Sequence, residues 1–111
     1  MIFLKRPKDT QNIHWTRHSK NKMRQYQLSE KRVLRVLRNP ERKEEGVAQK
    51  TIAVMQPYGT KKHPKEIWVM YQIKDKKLKI ISAWRYPGKS PIGKIPEIPE
   101  DTLKELENLI K

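Results

Sequence analysis

Residues 66–85 are rich in β-branched and aromatic side chains, Ile67, Trp68, Val69, Tyr71, Ile73, Ile80, Ile81 and Trp84, and are interrupted by the polar turn residues Asp75-Lys76. Such side chains favour strands, whose successive residues point to opposite faces, so the stretch reads as two strands joined by a tight turn. The spacing predicts strands over 66–74 and 77–85. In the first, Ile67, Val69, Tyr71 and Ile73 share one face while Trp68, Met70 and Gln72 share the other. In the second, Leu78, Ile80, Ser82 and Trp84 oppose Lys79, Ile81, Ala83 and Arg85, and Pro87-Gly88 ends the run. A preceding strand is predicted over 47–55, where Ile52 and Val54 alternate with more polar neighbours. Residues 56–65 carry the turn sequence Pro57-Tyr58-Gly59-Thr60 and then Lys61, Lys62, His63 and Lys65, and read as a mobile basic loop.

Helix signals precede these strands. Thr16 suits the N-cap of a helix reaching about Gln27, with Ser19, Met23 and Tyr26 on one face. Ser29 is a better N-cap: Glu30 follows in the first turn, and Leu28 and Val33 have hydrophobic-staple spacing. That second helix buries Val33, Leu34, Val36 and Leu37 and stops at Asn39-Pro40. Residues 1–12 have no clear period and read as an arm or short edge strand. Residues 90–99 hold three prolines and form a connector, and 100–111 make an amphipathic helix through Leu103, Leu106, Leu109 and Ile110. The expected architecture is α+β: two N-terminal helices on a three- or four-stranded antiparallel sheet over 13–89, with the connector and C-terminal helix over 90–111. A chain of 111 residues holds one such core.

Charge sets the class of partner. Twenty-six Lys and Arg face 12 Asp and Glu, a formal net of +14. That imbalance points to a polyanion, since lysine and arginine neutralising phosphates release condensed counterions. The charge is uneven: residues 97–111 carry five acids and two lysines, a net of −3, which leaves +17 on the rest. No apolar run approaches the roughly 20 residues of a membrane span, and Met1-Ile2-Phe3-Leu4 is cut short by Lys5-Arg6. The absence of cysteine rules out disulfides and thiolate zinc sites and fits a reducing compartment. A cytoplasmic, nucleic-acid-binding protein is expected, without membrane, metal or cofactor.

The order of helix, helix and three-stranded meander resembles the RelE-like ribonuclease toxin superfamily, especially its BrnT-type branch and a related domain family. The stretch His18-Ser19-Lys20-Asn21-Lys22-Met23-Arg24-Gln25-Tyr26-Gln27-Leu28-Ser29 is similar to that domain family's first helix, which reads His, several polar residues, Arg-Met, two residues and Arg-Gly-Ile-Ser. Ile80-Ile81-Ser82-Ala83-Trp84-Arg85 looks like the Ile-Ile-Ser-Ala-Arg end of the last BrnT-type strand. The likeness covers residues 13–86 and has departures: Tyr26 replaces an arginine, Gln27 a helix-ending glycine, and Arg85 comes one place late. A one-residue shift on a strand moves a side chain to the other face.

The resemblance implies a metal-independent endoribonuclease acting on single-stranded or ribosome-bound RNA, with an acidic antitoxin as partner. Cleavage of that kind needs a proton acceptor, cations for the phosphorane and a proton donor. His18 suits the base because a free imidazole titrates near neutrality. Its structural alternative is a packed or capping histidine. Lys22, four residues on, is the natural partner on the same helix face, or else an ordinary solvated lysine. Arg85 and Tyr86 could hold the phosphate and stack or donate, or else serve as a rim ion pair and a core tyrosine. His14 and His18 have metal-pair spacing but no nearby carboxylate completes a site. Trp68 and Trp84 belong in the core rather than on bases. Arg17, Arg24, Arg32, Arg35, Arg38, Lys61, Lys62 and Lys65 form the expected phosphate-binding surface. Two rivals remain: a non-catalytic nucleic-acid-binding module on the same fold, and a toxin homologue that binds a protein partner.

Overall fold

A computed structural model describes residues 9–46 and 50–110, and the N-terminal arm expected at 1–12 lies largely outside them. The chain is α+β, with three helices on the two sides of a five-stranded sheet. The elements are β1 (Ile13–Trp15), α1 (Arg17–Tyr26), α2 (Glu30–Arg38), β2 (Arg42–Glu45), β3 (Thr51–Gly59), β4 (Pro64–Lys74), β5 (Lys77–Tyr86) and α3 (Glu100–Ile110). The order across the sheet is β1-β5-β4-β3-β2, with β1 parallel to β5 and every other pair antiparallel.

The sheet is therefore larger than expected and mixed. Both additional strands lie at its edges, where pairing to one neighbour suffices. β1 contributes three residues against Leu78, Lys79 and Ile80. β2 is the wholly charged Arg42-Lys43-Glu44-Glu45, which lacks the apolar alternation of a half-buried strand. Tertiary contacts hold it instead: Arg42 donates to the Ser90 carbonyl and hydroxyl and lies 3.5 Å from Glu66. The expected basic loop is mostly strand. β3 continues through Gln56, Pro57, Tyr58 and Gly59, and only 60–63 turn, with the Thr60 N–H donating to His63. Pro57 lies beyond the last β2 pair, Arg42 with Met55, so β3 is paired on one side only there, the setting in which a strand tolerates proline.

The β4–β5 hairpin turns on Asp75 and Lys76, both in the left-handed region at φ 52° and 63°, as a two-residue turn requires. Its faces differ from strict alternation. The register shifts between Met70 and Tyr71, which pair with Ser82 and Ile80 and leave Ile81 as an extra residue. Leu78, Ile80 and Ala83 pack on the α1–α2 side, whereas Ile81 and Trp84 pack on the α3 side.

Two apolar layers result. On the first, Trp15, Met23, Leu28, Val33 and Val36 cover Val54, Ile67 and Val69. On the second, Trp68, Trp84, Met55 and Met70 lie under Ile95, Ile98 and Leu106 of the connector and α3. Trp68 and Trp84 are cross-strand partners, stacked at 6.4 Å and 11°. The connector is anchored by Glu66, whose carboxylate accepts from Trp68 Nε1 at 2.9 Å, the Ser90 hydroxyl at 2.6 Å and the Ser90 N–H at 3.2 Å. No helix among the described residues is long and apolar enough to cross a membrane.

Candidate nucleic-acid interface

The local sequence fixes α1 and α2 tightly enough to aim their side chains. Thr16 caps α1 by accepting from the Ser19 N–H, and its own hydroxyl donates to the Ile80 carbonyl at 2.7 Å. α1 ends at Gln27, which adopts the left-handed conformation at φ 54° where the resembled pattern has glycine. Ser29 caps α2 by accepting from the Arg32 N–H. The end of α1 and the start of α2 thus meet over the far ends of β3, β4 and β5.

Sheet register gathers the first group of candidate side chains there. Arg85 pairs with Ile67, Ile67 pairs with Gln56, and Tyr58 lies two residues further along β3 on the same face. The Arg85 guanidinium sits 5.1 Å from the Tyr58 ring centre, and Lys65, the cross-strand partner of Tyr58, sits 5.9 Å from the same ring. Arg85 Nε also donates to the Tyr26 carbonyl at 2.8 Å, at the carbonyl-rich end of α1. The Tyr26 ring in turn has Lys22 Nζ at 5.0 Å. Cations and aromatic rings therefore alternate in one run: Lys22, Tyr26, Arg85, Tyr58, Lys65.

Arg32 joins the run from α2 by donating to the Gln56 side chain at 2.7 Å. Partial burial, and after it the neighbouring charges of Arg35 and Arg85, hold the Arg32 guanidinium below its ordinary value. Among the described residues none of Arg32, Arg35, Lys65 and Arg85 forms an ion pair with a carboxylate. A cluster of cations without counterions presents an unneutralised positive field that an anion would relieve.

The second group sits further toward the start of α1, with Lys22 common to both groups. Lys22 is buried, not solvated; its Nζ donates to both carboxylate oxygens of Asp101 at 3.1 Å and to Gln25 at 3.0 Å. His18 Nε2 and Thr102 Oγ1 are 2.9 Å apart, and Thr102 Oγ1 is also 2.9 Å from the Ser82 hydroxyl. Burial is the main influence lowering the His18 imidazole from 6.5; Asp101 and Glu105 oppose it and Lys22 adds to it. His18 and Lys22 are thus brought together, both against the first turn of α3.

Arg85 does not join them. It binds the opposite end of α1, and eight residues of helix at 1.5 Å each separate His18 from Tyr26, about 12 Å. Tyr86 is on the other face of β5 from Arg85, packed with the α3-side apolar layer, so these two neighbours do not act on one phosphate. Of the expected phosphate-binding residues, Arg32, Arg35 and Lys65 lie at the run. Arg17 and Arg24 are exposed on α1, Arg38 at the end of α2, and Lys61 and Lys62 in the β3–β4 turn. Trp15, Trp68 and Trp84 are all in the core. Sequence reasoning missed Tyr26 and Tyr58. Tyr58 was concealed inside a Pro-Tyr-Gly turn signature, although its position ahead of Lys61, Lys62, His63 and Lys65 marked it as an aromatic in a basic segment.

Comparison with protein-family models, with curated proteins and with solved structures gives no match.

Proposed function

We propose that this protein is a RelE-like, toxin-type RNA-binding protein that holds single-stranded RNA along the run of Tyr58, Arg85, Lys65, Arg32 and Arg35. The observation that carries the reading is the Arg85–Tyr58–Lys65 arrangement, two cations over one tyrosine with no carboxylate among the described residues paired to either. Basic side chains interleaved with aromatics are what a single strand requires, because the cations track phosphates and a ring can stack a base of any identity. The net charge of +14 supports the same partner class. An acidic protein that masked this run would be the corresponding antitoxin.

A second reading, a metal-independent endoribonuclease, is favoured by the meeting of His18 and Lys22 on α1. A half-buried imidazole held toward its neutral form is suited to accept a proton, and a buried ammonium to steady a phosphate. Arg85 would act only as a remote phosphate holder. The test of both readings is a labelled single-stranded RNA incubated in EDTA with the wild type, Tyr58→Leu and His18→Ala. Binding weakened by Tyr58→Leu supports the first reading, and cleavage abolished by His18→Ala supports the second. Wild-type binding that is absent, or indifferent to Tyr58, defeats the first; no cleavage by the wild type defeats the second.

A further inference from the structure

We propose that Lys22 and Tyr26 form a second phosphate-binding site for RNA, occupied in the free protein by the Asp101 carboxylate at the start of α3. The inference rests on the RNA-binding reading above and extends it from Tyr26, the last residue of α1, one turn back to Lys22.

The ion pair is asymmetric. The Lys22 side chain is 3% exposed and that of Asp101 is 55% exposed. Lys22 is held by Gln25 and by the Tyr26 ring as well as by Asp101, so its ammonium is fixed by α1 itself. Asp101 is the outer partner and offers two oxygens, both at 3.1 Å. Two oxygens sharing one negative charge are also what a phosphodiester presents, so the carboxylate stands in for the phosphate at this point. An exchange of one for the other leaves Lys22 neutralised.

The element that carries Asp101 is lightly seated. Over 100–108 only Thr102 and Leu106 are buried, and Leu103, expected in the core, is 40% exposed. Thr102 stays anchored to His18 and Ser82, and the connector is tied down independently by Arg42, Ser90 and Glu66, so the exposed Asp101 side chain can swing outward without displacing either. Elements with few buried contacts are those that open locally without global unfolding. Of the acids in 97–111, Asp101 pairs with Lys22, and Asp101 and Glu105 both act on His18. Tyr26 links the site to the main run, because its carbonyl binds Arg85 while its ring faces Lys22. A strand lying on Tyr58 and Arg85 is thereby led toward Lys22 once Asp101 withdraws.

The experiment measures binding of a labelled oligouridylate across a salt series for the wild type, Asp101→Asn and the control Glu107→Gln, an exposed acid of the same helix. Asp101→Asn preserves shape and is exposed, so the fold is retained. The expected result is affinity several-fold tighter for Asp101→Asn, with a salt slope steeper by about 0.7, the increment of one further phosphate on a single strand. Glu107→Gln leaves the slope unchanged, and the gain disappears in a Lys22→Gln background. Equal effects of Asp101→Asn and Glu107→Gln, or a gain that survives Lys22→Gln, would overturn the proposal while wild-type binding still upheld the main run. Absence of binding in every variant would remove both.

Discussion

The Arg85 guanidinium lies 5.1 Å from the centre of the Tyr58 ring, a contact between β5 and β3 that passes over β4. It exists because β4 pairs with both strands in register, so residues on one face of the sheet line up across all three. Arg85 is held in place from the other side by the Tyr26 carbonyl. Three separate elements thus converge on one cation, which places it with little rotamer freedom left to lose on binding an anion.

Glu66 bears most of the polar load under the connector. It is 4% exposed, accepts from Trp68 and Ser90, and lies 3.5 Å from Arg42. Glu66→Ala leaves the Ser90 hydroxyl and the indole N–H without their acceptor and leaves Glu44 as the one carboxylate beside Arg42 among the described residues. Removing one partner of a buried pair costs about 3 kcal/mol, equivalent to a fall of roughly 10 °C in Tm for a domain of this size. Thermal unfolding followed by circular dichroism checks it, and a change within a few degrees would mean that the network adds little.

Acid should weaken the fold through His18. Its imidazole is lowered from 6.5, chiefly by burial, so below that value the unfolded chain binds protons that the native state refuses. The stabilisation is fully present above about pH 6.5 and is lost as pH falls through the lowered native value. Asp101, held below 3.8 by Lys22 against the opposing effect of burial, adds a second loss at lower pH. Urea midpoints measured between about pH 7 and pH 5 should decline for the wild type and decline less for His18→Gln. Parallel curves for the two proteins would assign the loss to other groups.

Gln27 occupies a backbone conformation that costs a side-chain-bearing residue on the order of 1 kcal/mol. Gln27→Gly should therefore hold or raise stability while leaving α1 intact, because the glycine meets no Cβ penalty at φ 54°. A raised urea midpoint is the expected reading; a drop of more than about 1 kcal/mol would show that the side chain itself contributes.

How much of this was legible depended on whether the signal was local. The β4–β5 hairpin and its Asp75-Lys76 turn follow from β-branched and aromatic content and from turn chemistry, and α1 and α2 begin where Thr16 and Ser29 cap them. The bulge at Ile81 was not legible, since both Ile80 and Ile81 are apolar and either parity fits a buried strand. β2 could not be read from Arg-Lys-Glu-Glu because its pairing depends on Ser90 and Glu66, distant in sequence. Within the candidate site, His18 and Lys22 were placed together by helix spacing alone. The burial of Lys22 was not foreseeable, because the residue that covers it, Asp101, is 79 positions away. Arg85 and Tyr86 were adjacent in sequence, and for that reason they face opposite sides of the sheet.

The central claim, that single-stranded RNA lies along the Tyr58–Arg85 run, is tested most directly by the salt dependence of RNA binding in Arg35→Gln plus Lys65→Gln. Both residues are exposed, so the double variant should fold as the wild type does. Each lost phosphate contact lowers the slope of log affinity against log salt by about 0.7 on a single strand, so a reduction near 1.4 is expected, with weaker binding at low salt. An unchanged slope would contradict the account and move the RNA to another face of the protein.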